Sequence, residues 1–243
     1  MVFDSFTTDD FFGIFSGSYV CAMREDGGQV NGCIPTDEVG EGGYVDYDDI
    51  MEKNFFGLNK MGYGIHFTPN GVKCSAERNK ITNIDYINSF WVEIDIEESK
   101  VLVSDEDYKK RKEKKAEILG YLFGIDFKHF PSFSVETRNG FQVYWFTPHA
   151  TKQDFDVIQQ CLFKKFKELG ADYSAMRLNS MLRVPYFRYN KKGEEGLIEP
   201  IPFFSTLRMY TVTDMFDFLW KEVEIVKQEV KEKFLKSIID LPM

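Results

Sequence analysis

The chain has 243 residues, with 24 Phe and 12 Tyr among them, enough apolar mass for one large domain or two packed small ones, each with its own core. A net charge of −9 and a pI of about 5.0 argue against a protein that grips duplex nucleic acid over a broad surface, and leave room only for a local basic groove. No apolar run approaches the ~20 residues that span a bilayer, the N-terminus lacks the basic-then-apolar order of a signal peptide, and Cys21, Cys33, Cys74 and Cys161 form no CxxC pair or zinc-ligand pattern, so a cytoplasmic protein with reduced thiols is expected.

In chain order, residues 1–84 are glycine-rich and the least regular part. They carry a helix candidate at 8–15, a strand candidate at 18–23, a helical spacing of Ile50, Met51, Phe55 and Leu58 within 46–60, and a short strand at 62–67 ended by the turn Pro69-Asn70-Gly71. A helix feeding a strand makes a small α/β subdomain, and Arg78-Asn79-Lys80 is a polar connector. Residues 89–96 read as a buried strand. Alternation sets Phe90, Val92, Ile94 and Ile96 on one face and Trp91, Glu93 and Asp95 on the other.

Ser104 and Asp107 have the spacing of an N-cap box and open a charged helix to about residue 121. Its run from Lys109 to Lys115 reads as a solvated face in preference to a nucleic-acid contact. Strand patterns at 131–136 and 141–146 are joined by Thr137-Arg138-Asn139-Gly140, whose Asn-Gly step favours a tight hairpin with positive φ. Thr151 with Asp154 caps a helix with the apolar face Phe155, Ile158, Leu162, Phe166 and Leu169, and Gly170 stands at the left-handed C-cap position. Strand candidates at 181–184 and 197–204 follow, and Thr213 starts a long helix over 216–239.

Strand, helix, strand, strand, helix, strand over 85–205 is the split βαβ pattern of RNA-recognition-like palms. The expected fold class is therefore α/β (α+β): such a palm packed with the subdomain of residues 1–84 and followed by a helical extension at 206–243. In such a sheet the first strand is central, and Asp172, after the second helix, returns to the face of Glu93 and Asp95. Carboxylates at i and i+2 among apolar neighbours repel and resist desolvation unless a cation lies between them; otherwise they are exposed residues of an edge strand. Asp172 also suits a plain turn, with Glu97 and Glu98 as substitutes. Three acids around Mg²⁺ or Mn²⁺ serve phosphoryl and nucleotidyl transfer. Donors for the phosphates are Thr137, Arg138, Asn139 and Gln142 on the hairpin, then Arg177, Arg183, Arg188 and Lys191. His66, His129 and His149 show no partner pattern.

Residues 91–96, residues 131–145, and Asp172 with Met181-Leu182-Arg183-Val184-Pro185 together resemble the archaeo-eukaryotic primase superfamily. The likeness is strongest to the primase-polymerase and RepB-like primase domains of plasmids and phages, and spans about residues 6–203. It implies that Glu93, Asp95 and Asp172 are catalytic and bind the divalent metals, and that the hairpin contacts the incoming nucleotide. Gln142 stands where the family has a histidine; glutamine donates a hydrogen bond to a phosphate but carries no charge. Arg183 matches the arginine before the family's proline, Lys191 its downstream lysine, and Tyr186 replaces a glycine. The implied function is a DNA primase or primase-polymerase, with a single-stranded DNA template passing near Arg177 and Arg188 and nucleoside triphosphates as substrates, in the replication of a mobile element. Two alternatives stand beside it: a non-catalytic single-strand or origin-binding module, favoured by Gln142 and the acidic pI, and a template-independent nucleotidyltransferase or cyclase. No GxxxxGK[ST] loop is present, so a replicative helicase would be a separate chain or a continuation.

Overall fold

The computed structural model describes residues 15, 19–23, 29–35, 55–72, 81–96, 105–191, 194–196, 202–206 and 208–239. In chain order the elements are β1 (Tyr19–Met23), β2 (Gln29–Pro35), α1 (Phe55–Lys60), β3 (Gly64–Phe67), β4 (Gly71–Val72), β5 (Ile84–Asp95), α2 (Asp105–Phe123), β6 (Phe133–Glu136) and β7 (Gly140–Ala150). They continue with α3 (Lys152–Phe166), β8 (Leu182–Arg183), β9 (Tyr189–Lys191), β10 (Glu194–Gly196), β11 (Pro202–Ser205), α4 (Val212–Phe218) and α5 (Trp220–Ile239). The expected helix at 8–14, the helical stretch at 46–54, the connector at 78–80, Glu97, Glu98, Ser104 and residues 197–201 lie outside the described residues.

Two antiparallel sheets carry the fold, in the orders β2-β1-β3-β8 and β11-β6-β7-β5-β4, with a separate β9-β10 hairpin. The larger sheet is built on β5, whose register against β7 pairs Trp91 with Tyr144, Glu93 with Gln142 and Asp95 with Gly140. This is the expected alternation: one face of β5 and β7 carries Val92, Ile94, Val143 and Trp145, all fully buried. Trp145 meets Phe166 of α3 (5.8 Å), and Phe166 meets Tyr121 of α2 (5.7 Å), so the helices cover that face. On the opposite face Tyr144 and Phe146 meet Phe15 (5.2 and 5.5 Å), and Tyr144 lies 6.4 Å from Phe67 of the smaller sheet. The two sheets are thus joined through aromatic rings beside the acidic row.

The α3 start obeys its sequence. Thr151 and Asp154 form a reciprocal capping box, which satisfies donors that a helix N-terminus leaves bare. Three other expectations are corrected. Residues 182–183 do not join the palm sheet: they pair with β3, Arg183 opposite His66 and Leu182 opposite Phe67, and the free edge beside β6 is taken by β11. The palm's last strand is reduced to a single bridge between Ala171 and Ile94. The C-terminal region is two helices, the first capped by Thr211 with Asp214, two residues before the expected start at Thr213. It packs on α3, with Leu219 and Val226 buried and with Lys165–Glu222 (3.6 Å) and Lys164–Glu229 (2.6 Å) ion pairs. Among the described residues no helix is long and apolar enough to cross a membrane.

Candidate active site

The bridge at Ala171 determines the geometry of the site. Asp95 N–H donates to Gly170 O (2.9 Å) and Asp172 N–H donates to Glu93 O (2.8 Å), so residues 170–172 run along β5 as a short third strand opposite β7. Residues directly opposite in such a ladder share a face. Asp172, Glu93 and Gln142 therefore form one row across three chain segments, with Asp95 two residues further along the same face. On either side of Asp95 the row holds glycine, Gly140 in β7 and Gly170 in the new edge. Both glycines are required. Gly170 has φ +95°, and a Cβ on it would lie 2.4 Å from Asp95 O; a Cβ on Gly140 would lie 1.7 Å from Ile94 O.

The acids act on one another. Burial, then the charge of Asp95, pushes the Glu93 carboxyl up to about 7; the Gln142 amide opposes this, Asp172 adds to it, and Arg183 opposes it least. Removing a carboxylate from water and placing like charges beside it both penalise ionisation. The Gln142 side chain is buried and accepts the Tyr144 hydroxyl on Oε1 (3.0 Å); its Nε2 is turned toward Glu93 and makes no other hydrogen bond. Glu93, after burial, also raises the Tyr144 hydroxyl. Gln142 thus belongs to the floor of the row, and one of its amide donors is unused.

Asp172 has two roles in the geometry. Its Oδ1 accepts Ser174 N–H (2.8 Å) and caps the 3-10 helix Tyr173–Met176, the turn role weighed from sequence, while its charge reaches Glu93. Among the described residues no group of three or more His, Cys, Asp or Glu is placed to hold a metal ion. The donor set still suits a hard cation: it consists of carboxylate oxygens, and Mg²⁺ commonly takes one or two carboxylates and completes its shell with water and substrate phosphates.

The β6–β7 turn is tight, with Thr137 N–H donating to Gly140 O (2.8 Å) and Gly140 N–H to Thr137 Oγ1 (3.0 Å). The expected positive φ at Asn139 and Gly140 is not found; Gly140 is needed for its close approach to β5 instead. Helix α2 holds this turn. Lys115 Nζ donates to Glu136 Oε1 and to Thr137 O, both 2.7 Å, and the buried Arg111 donates to Arg138 O (3.5 Å). The basic run on α2 is therefore solvated only in part: Lys109, Lys110 and Lys114 pair with Glu113, Glu106 and Glu117 on the helix surface, whereas Arg111 and Lys115 brace the hairpin. Their i, i+4 spacing was the available signal.

Of the remaining candidates, Thr137, Arg138 and Asn139 are half-buried in the turn. Asn139 O accepts Ile96 N–H (2.8 Å), and its buried Oδ1 has no partner. Arg177 and Arg188 are exposed. Arg188 N–H donates to the buried Asn59 Oδ1 (2.7 Å), and Asn59 Nδ2 donates to Arg188 O (3.0 Å), a brace that sequence reasoning missed. Lys191 is not brought to the acidic row by its backbone: it pairs with Glu194 in the separate hairpin, and its side chain is outside the described residues. Tyr186, where glycine was the expectation, has φ +67°, so this position does adopt the conformation glycine accepts without strain.

No protein-family model matches the chain, and no curated protein sequence matches it. Three solved structures are similar. The catalytic domain of primase RepB′ in complex with initiator DNA superposes with a TM-score of 0.51 at 13% identity, over 92% of this chain and 97% of that one. A crystal structure of primase RepB′ gives 0.50 at 13% identity, over 96% of this chain and 69% of that one. The AEP domain of the cyanophage S-2L primase-polymerase gives 0.49 at 11% identity, over 84% and 90%. The chain has the fold of archaeo-eukaryotic primase domains.

Proposed function

We propose that this protein is a primase-polymerase that joins nucleotides on a single-stranded DNA template, by attack of a 3′-hydroxyl on the α-phosphate of an incoming nucleoside triphosphate with release of pyrophosphate. The observation that carries the reading is the row Asp172, Glu93, Gln142 with Asp95 beside it, in which burial and then the neighbouring carboxylates push the Glu93 carboxyl up to about 7. Such a row is stabilised by positive charge. Mg²⁺ or Mn²⁺ held by Glu93, Asp95 and Asp172 would lower the pKa of the attacking hydroxyl and offset charge on the phosphates.

The chain's own residues do the rest. Positive charge at the row favours the ionised form of Glu93, so the fully ionised row gains population as its ligands bind. The second N–H of Gln142 Nε2 and the backbone of the turn at 137–139 supply neutral donors for phosphate oxygens, and Arg138 and Arg183 supply charge. Arg177 and Arg188 meet the template's phosphates. Lys191 stays a candidate for the triphosphate, and a replicative helicase a candidate partner.

Primer extension on a single-stranded template with Mn²⁺, using wild type and Asp95→Ala, tests this reading. Template-dependent products from wild type and none from Asp95→Ala are expected. No synthesis by wild type, or equal synthesis by both, overturns it, and synthesis without a template selects the cyclase-like alternative. The replacement of a histidine by Gln142 favours a second reading, a DNA-binding module without synthesis; it predicts strand binding that is unaffected by Asp95→Ala and no products.

A further inference from the structure

The 3-10 helix Tyr173–Met176 is anchored at three points, two on β5 and one on α3. Asp172 N–H donates to Glu93 O (2.8 Å), Trp91 Nε1 to Ala175 O (2.8 Å), and Gln159 Nε2 to Met176 O (3.0 Å). Gln159 Oε1 also accepts Trp91 N–H (3.2 Å), so helix α3, β5 and this short helix form one rigid unit. Its first residue, Tyr173, is nonetheless 43% exposed. The ring leans on Phe163 of α3 at 5.1 Å and 55°, which supports one side and leaves the rest in solvent. Arg177, at the C-cap of the same helix, is exposed too, and Ser180 Oγ holds its backbone N–H (2.9 Å).

We propose that Tyr173 is a stacking platform for one unpaired base of the DNA template and that Arg177 meets a phosphate of the same strand. This rests on the polymerase reading and gives that reading's template a seat. Tyr173 directly follows Asp172 in the chain, and its ring lies on the α3 side of that edge, against Phe163. An aromatic ring already held by its own protein loses little freedom on binding, and base stacking is tolerant of sequence because every base has a π-face. Only an unpaired base offers that face, since a duplex buries it. A single guanidinium beside one ring also suits a chain whose net charge of −9 argues against a broad basic surface.

The test is equilibrium binding of a short fluorescein-labelled single-stranded oligonucleotide, followed by anisotropy, beside primer extension by the same preparations. Base–aromatic stacking of about 1–3 kcal/mol corresponds to roughly 5- to 150-fold in affinity, so Tyr173→Ala is expected to bind about tenfold more weakly and Tyr173→Phe within about twofold of wild type. Tyr173→Leu, which keeps an apolar contact with Phe163 but has no π-face, is expected to lose as much as Ala. An abasic site scanned along the oligonucleotide should weaken wild type at one position and leave Tyr173→Ala unaffected there. Arg177→Gln should flatten the salt dependence by about one phosphate contact. If wild type binds and extends while Tyr173→Ala and Tyr173→Leu bind as wild type does, the platform is wrong and the polymerase reading stands. If wild type neither binds the strand nor extends a primer, the polymerase reading falls and the platform falls with it.

Discussion

The acidic row and the proposed phosphate donors are built by different means. Glu93, Asp95 and Asp172 are placed by backbone hydrogen bonds, with β7 on one flank of β5 and residues 170–172 on the other. The basic side depends on side chains reaching across the fold: Lys115 and Arg111 hold the hairpin, Asn59 holds the loop at Arg188, and Arg183 belongs to the smaller sheet. A ladder fixes where a residue lies to within the pleat, whereas a brace is only as firm as its one or two contacts. Substitutions on the acidic side should therefore change chemistry and leave structure intact, and substitutions among the braces should loosen substrate binding.

The largest expected effect is at Asp95. Asp95→Ala should lower single-turnover incorporation by about 10³-fold, the equivalent of several kcal/mol of lost charge stabilisation, with a melting temperature no lower than that of wild type. Next is Glu93. Its carboxyl ionises near 4.5 in the unfolded chain and at about 7 in the fold, so between those values the folded state binds the extra proton. Stability of the metal-free protein is therefore highest below about pH 4.5 as far as this group is concerned, and falls as pH rises through that window by on the order of 3 kcal/mol at most. Glu93→Gln should abolish that slope and stabilise the metal-free protein at pH 8 by a similar margin; urea titrations of both proteins at pH 5 and pH 8 measure it.

Effects among the braces are smaller. Lys115→Met should raise the nucleotide KM about tenfold with little change in kcat, since hydrogen bonds to a charged group contribute about 1.5–3 kcal/mol, and Lys115→Arg should recover part of the loss.

The same contrast explains what could be read in advance. The alternation of β5, the capping box at Thr151 and Asp154, and the left-handed Gly170 are local rules, and each is found where the residues indicate it. The placement of Asp172 beside Glu93 followed from fold class, but its agent, an edge strand cut down to one bridge at Ala171, depends on where the chain leaves the sheet, which no local pattern records. The exit of residues 182–183 to the smaller sheet is of the same kind: a two-residue strand has too little pattern to name its partner. At the hairpin the Asn-Gly step pointed to positive φ, yet the close passage of Ile94 O is what excludes a side chain at Gly140. Arg111 and Lys115 looked like members of a solvated run because their partners, Arg138 and Glu136, are more than twenty residues away.

On the proposed reading, the row at Glu93 takes a divalent cation in exchange for a proton. Calorimetric titration of Mn²⁺ alone into the protein at pH 6, repeated in buffers of different ionisation enthalpy, counts the protons released. Release of nearly one proton at pH 6, shrinking toward none by pH 8 and absent in Glu93→Gln, is the predicted result. Equal release by wild type and Glu93→Gln, or none by either, would contradict the account.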